Sequence, residues 1–419
     1  MTQPLATPIV CVVGLGYVGL PTAAFIAAHG LTVFGVDIDA AVVAAVNAAA
    51  THSSEPGLEA LVRTGVTTGN LSAATSPQPA DVFIIAVPTP ITPAKQACLS
   101  AVENAIHAIA PVLARGNLVI LESTCPIGTT ARISRQLSHA RPDLTFPHRA
   151  PECADVQLAY SPERVLPGNA LHELAANART IGGLDEQSAK ACGTFYGLFC
   201  RSELSLTSAE IAEAAKLAEN AYRDVNIAFA NELSMICHDL GIDSNAVIAQ
   251  ANRHPRVNIL APGPGVGGHC IPVDPWFLVQ AAPDRAPLLR TARDVNTAKT
   301  AFVCSQIRAA ISQLAHPVVA LFGLSYKPDS DDLRGSPAVT IARALAANPA
   351  TTLLIVEPHI KALPADLAAL GNAHLTSPDH ALATADLTVP LVAHDAFKSL
   401  NLIDPFSPRA ATPAGRNPA

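Results

Sequence analysis

Cys270 is the first group in this sequence placed to do chemistry. It stands in PGPGVGGHCIPVDPW, residues 262–276, with Asp274 four residues after it. Glycine lets a backbone take positive φ and come close to a ligand, and proline stiffens what surrounds it. Such a loop suits a tight turn or a shaped ligand floor. A buried cysteine is ordinarily an inert small hydrophobe. Here the flanking glycines would expose the thiol, and Asp274 is near enough to orient a water. That arrangement suits capture of an aldehyde, with a thiolate adding to the carbonyl before a hydride leaves. His269, Cys270 and Asp274 lack the spacing of a zinc site, and no metal is expected.

A second constellation is GLGYVG, which reads Gly14-x-Gly16-x-x-Gly19 with Tyr17 and Val18 between. Gly14 permits the tight turn, Gly16 lets a pyrophosphate approach, and Gly19 allows a helix to lie on a strand. Asp37 closes the next strand-like run, 18 residues after Gly19. A carboxylate there accepts hydrogen bonds from a ribose diol and repels a 2′-phosphate, so the expected cofactor is NAD and not NADP. Lys216 and Asn220 form a third pair, four residues apart and so on one face of a helix. The run EAAKLAEN around them is largely apolar and could keep the lysine out of water; the alternative is a solvated helix lysine.

The elements that must carry these groups follow from the pattern around them. IVCVVGLG reads as a buried strand, PTAAFIAAHG as the helix after it, ended by Gly30, and LTVFGVD, ADVFIIAV and NLVILEST as further strands. Strand alternating with helix predicts a doubly wound parallel sheet. From Thr207 no proline or glycine occurs until Gly241, and Thr207 with Glu210 makes a T-x-x-E capping box. A single helix roughly 45–50 Å long is predicted there, a length that spans a domain boundary or a subunit interface. HPVVALFGLSYKP, TTLLIVEP and ADLTVPLV then predict a second, smaller Rossmann-like domain, with Pro390 placing its last strand at an edge. The expected fold is α/β: two Rossmann-like parallel-sheet domains joined by a long central helix and a helical dimerisation region. The expected division is an NAD-binding domain at 1–206, a central helical domain with the cysteine loop at 207–302, a C-terminal nucleotide-binding domain at 303–405 and a disordered tail at 406–419.

Composition narrows the function classes. The 419 residues carry a net charge of −7, with no block of like charge, which disfavours nucleic acid or an anionic membrane as partner. Nine cysteines, an odd number with no CxxC pair, argue against a disulfide framework and fit a reducing cytoplasm. The apolar run 9–28 could pass for a signal peptide, but no Lys or Arg precedes Arg63 and three glycines and Pro21 interrupt it.

Seven ordered motifs across residues 8–398 then carry a resemblance. They are VVGLGYVGLPTA, AVPTP, ESTCPIGTT, YSPERVLPG, KLAENAYRDVNIAFANEL, NRHPRVNILAPGPGVGGHCIPVDPWF and LFGLSYKPDSDDLRGSP. Together they resemble the nucleotide-sugar 6-dehydrogenases. The wording of SPERVLPG, RDVNIAFANEL and HPRVNI is most similar to members acting on UDP-N-acetyl-D-mannosamine. The resemblance implies a four-electron oxidation of the sugar C6 alcohol to a carboxylate with two NAD⁺, in a homodimer built on the long helix. It implies Cys270 as nucleophile, Lys216 and Asn220 as oxyanion partners, Asp274 beside the water, and Glu163 and Thr124 as supports of that water. Cofactor contacts would come from Gly14, Gly16, Tyr17, Val18, Gly19, Asp37, Pro88, Thr89 and Thr124, with Arg334 near the pyrophosphate. The UDP-sugar would meet Glu163, Arg164, Val165, Lys216, Asn220, Arg256, Asn258, Gly265, Gly267 and Lys327, and Arg253 or Arg256 would reach across the dimer. Two departures stand out: Cys125 in STCPIG, read as a packing residue, and a Pro/Ala-rich tail where a last strand is usual.

Overall fold

The computed structural model describes residues 7–51, 55–151, 153–165, 168–400 and 402. The tail expected at 406–419 lies outside the described residues. The chain divides into two compact units, residues 1–218 and 219–419.

The first unit holds eight strands: β1 (Val10–Val13), β2 (Val33–Val36), β3 (Leu71–Ala74), β4 (Val82–Ile85), β5 (Leu118–Leu121), β6 (Gln157–Tyr160), β7 (Arg179–Gly183) and β8 (Leu204–Ser208). They form one sheet in the order β3-β2-β1-β4-β5-β6-β7-β8. From β3 to β6 every pairing is parallel, in the strand order of a dinucleotide-binding fold. β1, β4 and β5 read VCVV, VFII and LVIL and are buried at every position. A sheet covered by helices on both faces requires such uninterrupted apolar runs. The helix Gly19–Ala28 is buried from Gly19 to Ala27, its alanines and glycine letting it lie close on the strands, and Gly30 ends the turn after it at φ +85°.

The parallel sheet that the sequence predicts carries one reversal, where β7 returns antiparallel to β6 through the pairs Ala159–Gly183 and Tyr160–Gly182. Gly182 and Gly183 have no side chains at that reversal, and Ser208, Ala189 and Ala212 press into the space a Cβ would need. One sequence expectation is corrected in this unit: the long helix does not open at Thr207. Thr207 belongs to β8, opposite Gly182, and the helix is Ala209–Asp239. Sheet pairing takes the threonine, and the Ser208 hydroxyl accepts from the Ile211 N–H at 3.4 Å instead. The 31 residues of this helix run through position 218 and span roughly 46 Å.

The second unit repeats the pattern on a smaller scale. Its strands β9 (Val318–Phe322), β10 (Thr352–Val356), β11 (Ala373–Leu375) and β12 (Leu387–Pro390) are all parallel, in the order β11-β10-β9-β12. That is the β3-β2-β1-β4 order again. Pro390 lies on β12, the outermost strand on its side among the described residues, where a missing N–H costs least. The helix Pro337–Ala346 packs on this sheet and is capped by Ser336, whose hydroxyl accepts from the Ala338 and Val339 N–H groups. No helix among the described residues is long and apolar enough to cross a membrane.

Candidate active site

In the first unit the turn after β1 has the geometry a pyrophosphate needs. Gly14 sits at φ +94°, and a Cβ there would fall 2.6 Å from the Ala86 carbonyl oxygen. At Gly19 a Cβ would lie 1.8 Å from the Gly14 carbonyl oxygen, so only glycine lets the helix start so close to the strand. Around a Cβ at Gly16, in contrast, nothing lies within 4 Å. Tyr17 is exposed and Val18 half-buried at the helix N-cap position. Asp37, just past β2, accepts from the Leu15 N–H at 2.8 Å through Oδ2 and from the Asp39 N–H at 2.9 Å through Oδ1. These bonds fix a half-buried carboxylate beside the turn, where a ribose diol would be read. The tight turn, the open space at Gly16, the helix N-terminus and the acid together fit NAD.

The loops after β4 and β5 close over the same end of the sheet. Thr89 donates through its hydroxyl to the Thr124 carbonyl at 2.5 Å, and Pro88 is exposed beside it. The loop after Thr124 is pinned from the long helix by buried Glu213, which accepts from the Gly128 N–H at 2.5 Å, the Thr130 N–H at 2.8 Å and the Thr130 hydroxyl at 2.7 Å. Burial pushes Glu213 above the ordinary glutamate range, against these donors. Cys125 is buried next to it, and burial with the Glu213 charge raises its thiol well above the usual value, which suits a packing residue. Lys216 is not a solvated surface lysine: it is buried and donates to the Glu163 carbonyl at 2.9 Å. The same loop carries Arg164, whose N–H donates to Glu163 Oε1 at 2.6 Å, and Val165, which packs on the sheet core.

In the second unit the helix Asp274–Ala281 begins four residues after Cys270, and the Asp274 N–H donates to the Cys270 carbonyl at 2.9 Å. Cys270 is exposed, as the flanking glycines predict, while Asp274 is buried. Asn220 donates through Nδ2 to Asp274 Oδ2 at 2.5 Å. One side-chain bond thus ties the long helix to the cysteine loop. The glycines upstream have a second use that the sequence did not suggest. A Cβ at Gly265 would fall 2.3 Å from the Thr300 hydroxyl, and one at Gly267 would lie 2.8 Å from both Tyr326 and Pro337. Gly268 donates to the Arg334 carbonyl at 3.0 Å. The loop is therefore pressed onto the segment that holds Lys327 and Arg334. Lys327 is half-buried there, and Arg334 pairs with Asp332 at 2.6 Å. Arg256 and Asn258 are exposed on a different loop, closed by Asn252, which bonds the Ile259 N–H and carbonyl.

Sequence reasoning passed over a buried polar network that holds the cysteine loop in place. Asp224 on the long helix pairs with Arg293 at 2.5 Å and accepts from Asn296 at 2.7 Å. Asn231 donates to Asn296 at 2.9 Å and accepts from the Gly263 N–H at 2.9 Å. Burial raises Asp224, and Arg293 with Asn296 pull it back. The signal was present: the tetrapeptide RDVN occurs at 223–226 and again at 293–296.

Comparison with known proteins agrees with this geometry. Residues 9–200 match the NAD binding domain of the UDP-glucose/GDP-mannose dehydrogenase family, residues 210–298 its central domain and residues 320–411 its UDP binding domain. An NDP-N-acetyl-D-galactosaminuronic acid dehydrogenase of Ralstonia nicotianae is 52% identical over 392 residues, 94% of this chain and 92% of that one. A UDP-N-acetyl-D-mannosamine dehydrogenase of Campylobacter jejuni is 49% identical over 389 residues, 93% of this chain and 96% of that one. Among solved structures, a UDP-D-ManNAc dehydrogenase of Pyrococcus horikoshii superposes with a TM-score of 0.84 at 35% identity, covering 94% of this chain and 91% of that one.

Proposed function

The chain belongs to the UDP-glucose/GDP-mannose dehydrogenase family, and from that membership we propose that it oxidises UDP-N-acetyl-D-mannosamine at C6 to the uronate through a covalent adduct on Cys270. It is an NAD-dependent nucleotide-sugar dehydrogenase. When bound, NAD supplies the hydride acceptor for each of two oxidations. In the first, the C6 alcohol gives up a proton and a hydride and becomes an aldehyde. The Cys270 thiolate then adds to that carbonyl, forming a C–S bond and an oxyanion, the thiohemiacetal stage. Loss of a second hydride leaves a thioester, and water splits it into carboxylate and free thiolate. Lys216 and Asn220 bind the oxyanion, with Asn220 oriented by Asp274. Asp274, Glu163 and Thr124 hold and activate the hydrolytic water. Arg256 and Asn258, with Gly265, Gly267 and Lys327, would take the UDP-sugar, and Arg334 would meet the pyrophosphate of the cofactor.

The observation that carries this reading is an exposed cysteine whose loop is bonded to a buried Asn220–Asp274 pair. The active form is a homodimer. Tyr222, Phe229 and Ile236 recur every seven residues on the long helix and are 71%, 54% and 50% exposed, an apolar stripe that a second copy would cover. Arg253 and Arg256, both exposed, each suit a reach across that interface. A three-part division at 206 and 302 draws support from the family segments matched at 9–200, 210–298 and 320–411. A reducing cytoplasm suits the cysteine pattern, and the product serves as a uronate donor for surface polysaccharide.

The test is the number of NADH formed per UDP-N-acetyl-D-mannosamine consumed. Two per sugar, with a uronate product and none from Cys270→Ala, is the expected result; one per sugar, with free aldehyde, removes the nucleophile role from Cys270. The relatives named above differ in their hexosamine, so rates with the UDP-activated N-acetyl forms of mannosamine, galactosamine and glucosamine, and with UDP-glucose, decide the sugar. Binding of every UDP-sugar without any NADH would mean a nucleotide-sugar-binding protein that does not turn over.

A further inference from the structure

Glu163 is held by a buried charge network whose other members lie outside the reaction scheme. Its Oε2 accepts from Arg179 Nη2 at 2.9 Å. Arg179, the first residue of β7, stacks with its guanidinium carbon 4.3 Å from the centre of the Tyr196 ring. Its Nη1 lies 3.5 Å from Glu122 Oε1, at the end of β5, and 3.4 Å from the Ser161 hydroxyl. Glu122 in turn accepts from the Tyr196 hydroxyl at 2.6 Å and the Thr22 hydroxyl at 3.5 Å. The side chains of Glu163, Arg179 and Glu122 are 8%, 6% and 0% exposed. Two carboxylates on one guanidinium at such depth are a poor way to stabilise a fold, since well-packed apolar residues of like volume would do as well or better. What they do well is fix a carboxylate in one place and one orientation.

We propose that Arg179 is the positioning residue of the Glu163 carboxylate, and that Glu122, acting through Arg179, sets how firmly it is held. The inference rests on the reading of Glu163 as a support of the hydrolytic water. Burial first, and the Glu163 charge with it, push Glu122 up to about 7 against the pull of Arg179. The groups facing Glu122 are Arg179 from β7, Glu163 from the loop after β6, Thr22 from the first helix, Tyr196 and Cys192 from the helix Glu186–Tyr196, and Cys200 just beyond it. Burial raises Tyr196, Cys192 and Cys200, so all three stay neutral. Arg179 stays charged: desolvation opposes it, but Glu163, Tyr196 and Glu122 outweigh that. When Glu122 carries a proton, the guanidinium serves Glu163 alone; when Glu122 ionises, the same charge is divided between two carboxylates.

The experiment compares Glu122→Gln, Arg179→Lys, Arg179→Met and Glu163→Gln, each assayed for kcat, for both KM values, across pH 6 to 8.5, and by intact mass after acid quench. Arg179→Met is expected to lower kcat about 10²-fold with little change in either KM, and to accumulate the sugar adduct on Cys270 as Glu163→Gln does. Arg179→Lys should recover part of that loss. The parent protein is expected to show an inflection of kcat near neutral pH, and Glu122→Gln, nearly isosteric, should erase it. A parent-like pH profile in Glu122→Gln overturns the role of Glu122. Parent-like turnover in Arg179→Met, with Glu163→Gln slow, overturns the role of Arg179. Parent-like turnover in Glu163→Gln instead removes the reading of Glu163, and the positioning role with it. Should Arg179→Met not fold, the lysine variant and Glu122→Gln still decide.

Discussion

The two Rossmann-like sheets begin with the same turn and use it for different ends. After β1 the chain reads Gly14-Leu15-Gly16-Tyr17, and after β9 it reads Gly323-Leu324-Ser325-Tyr326. Gly14 and Gly323 have φ of +94° and +90°, and each donates its N–H to the last residue of the neighbouring second strand, Val36 or Val356. An acid follows that strand in both: Asp37 accepts from the Leu15 N–H, and Glu357 from the Leu324 N–H. There the likeness stops. Asp37 is half-buried, whereas Glu357 is buried. The Oε2 of Glu357 takes the Leu324 and Ser325 N–H groups at 2.7 and 3.1 Å and faces His394 Nε2 at 3.0 Å. His394 Nδ1 accepts the Asp329 N–H at 2.9 Å, so both ring nitrogens are engaged, with His359 and Asp329 close by. Where Gly19 starts a helix in the first turn, Pro328 stands in the second, and the chain goes into the loop of Lys327, Asp332 and Arg334 before its helix begins at Pro337. One turn keeps its acid half-exposed. The other has converted the equivalent acid into a pin and spent the extra loop on the cysteine segment.

The largest effect that separates the two turns is expected at Gly19. A methyl group there meets a backbone oxygen at 1.8 Å, and neither backbone can yield without lifting the helix Gly19–Ala28 from its strand. Gly19→Ala should cost about 3 kcal/mol or more, seen as early unfolding of the first unit under limited proteolysis, with NAD binding lost alongside. A variant that keeps its melting temperature and its NAD affinity would mean that the close approach is not what the first turn depends on.

What was legible in the sequence divides along similar lines. The first turn, Asp37, the strand–helix alternation and the edge position of Pro390 are all local: their signals lie in a few adjacent residues and in the period of the apolar ones. The exposed setting of Cys270 was legible for the same reason. The start of the long helix was misread because a capping box and a strand end compete for the same threonine, and the winning partner, Gly182, comes from a distant strand. Glu122 with Arg179, Asp224 with Arg293, and Glu357 with His394 were not legible at all. Each pairs groups from different elements, and no local spacing records which buried charge will meet which.

A middle-sized effect contrasts the two acids. In Glu357→Gln the amide has one oxygen for four donors, so whichever way it sits a donor faces a donor. The expected cost is about 1–3 kcal/mol of stability in the second unit, with KM for NAD unchanged. Asp37→Asn, half-buried and bonded to two N–H groups, should do the reverse: little lost stability and a raised KM for NAD. Acid should single out the second unit as well. Desolvation would raise Glu357, but the His394 bond and the Leu324, His359 and Ser325 N–H groups outweigh it and hold its pKa below the ordinary glutamate value. A depressed folded-state pKa means stability that is present above the unfolded value and is lost as pH falls through the folded one. Unfolding of the second unit should therefore advance below the usual carboxylate range, and Glu357→Gln should flatten that dependence. Equal acid sensitivity in the variant would show that the pin is not what titrates.

Gly16→Ala is expected to have the smallest effect on the fold and the most specific one on function. Gly16 is not in the left-handed region, and nothing surrounds the position of its Cβ within 4 Å. Alanine should fit without strain and restrict the unfolded chain, leaving stability unchanged or raised by about 0.4–1 kcal/mol. In the second turn the same position is Ser325, buried, with its hydroxyl bonded to the Lys327 carbonyl at 2.6 Å. Protein atoms fill there the space that the first turn leaves open. A methyl group at Gly16 can then be felt only by what enters that space, and KM for NAD should rise about tenfold, some 1.4 kcal/mol of binding. Thermal melting and an NAD titration on one preparation read both halves. A raised KM with unchanged melting assigns the space to the cofactor. An unchanged KM would mean that the pyrophosphate lies elsewhere, and that the two turns differ at this position for packing and not for a ligand.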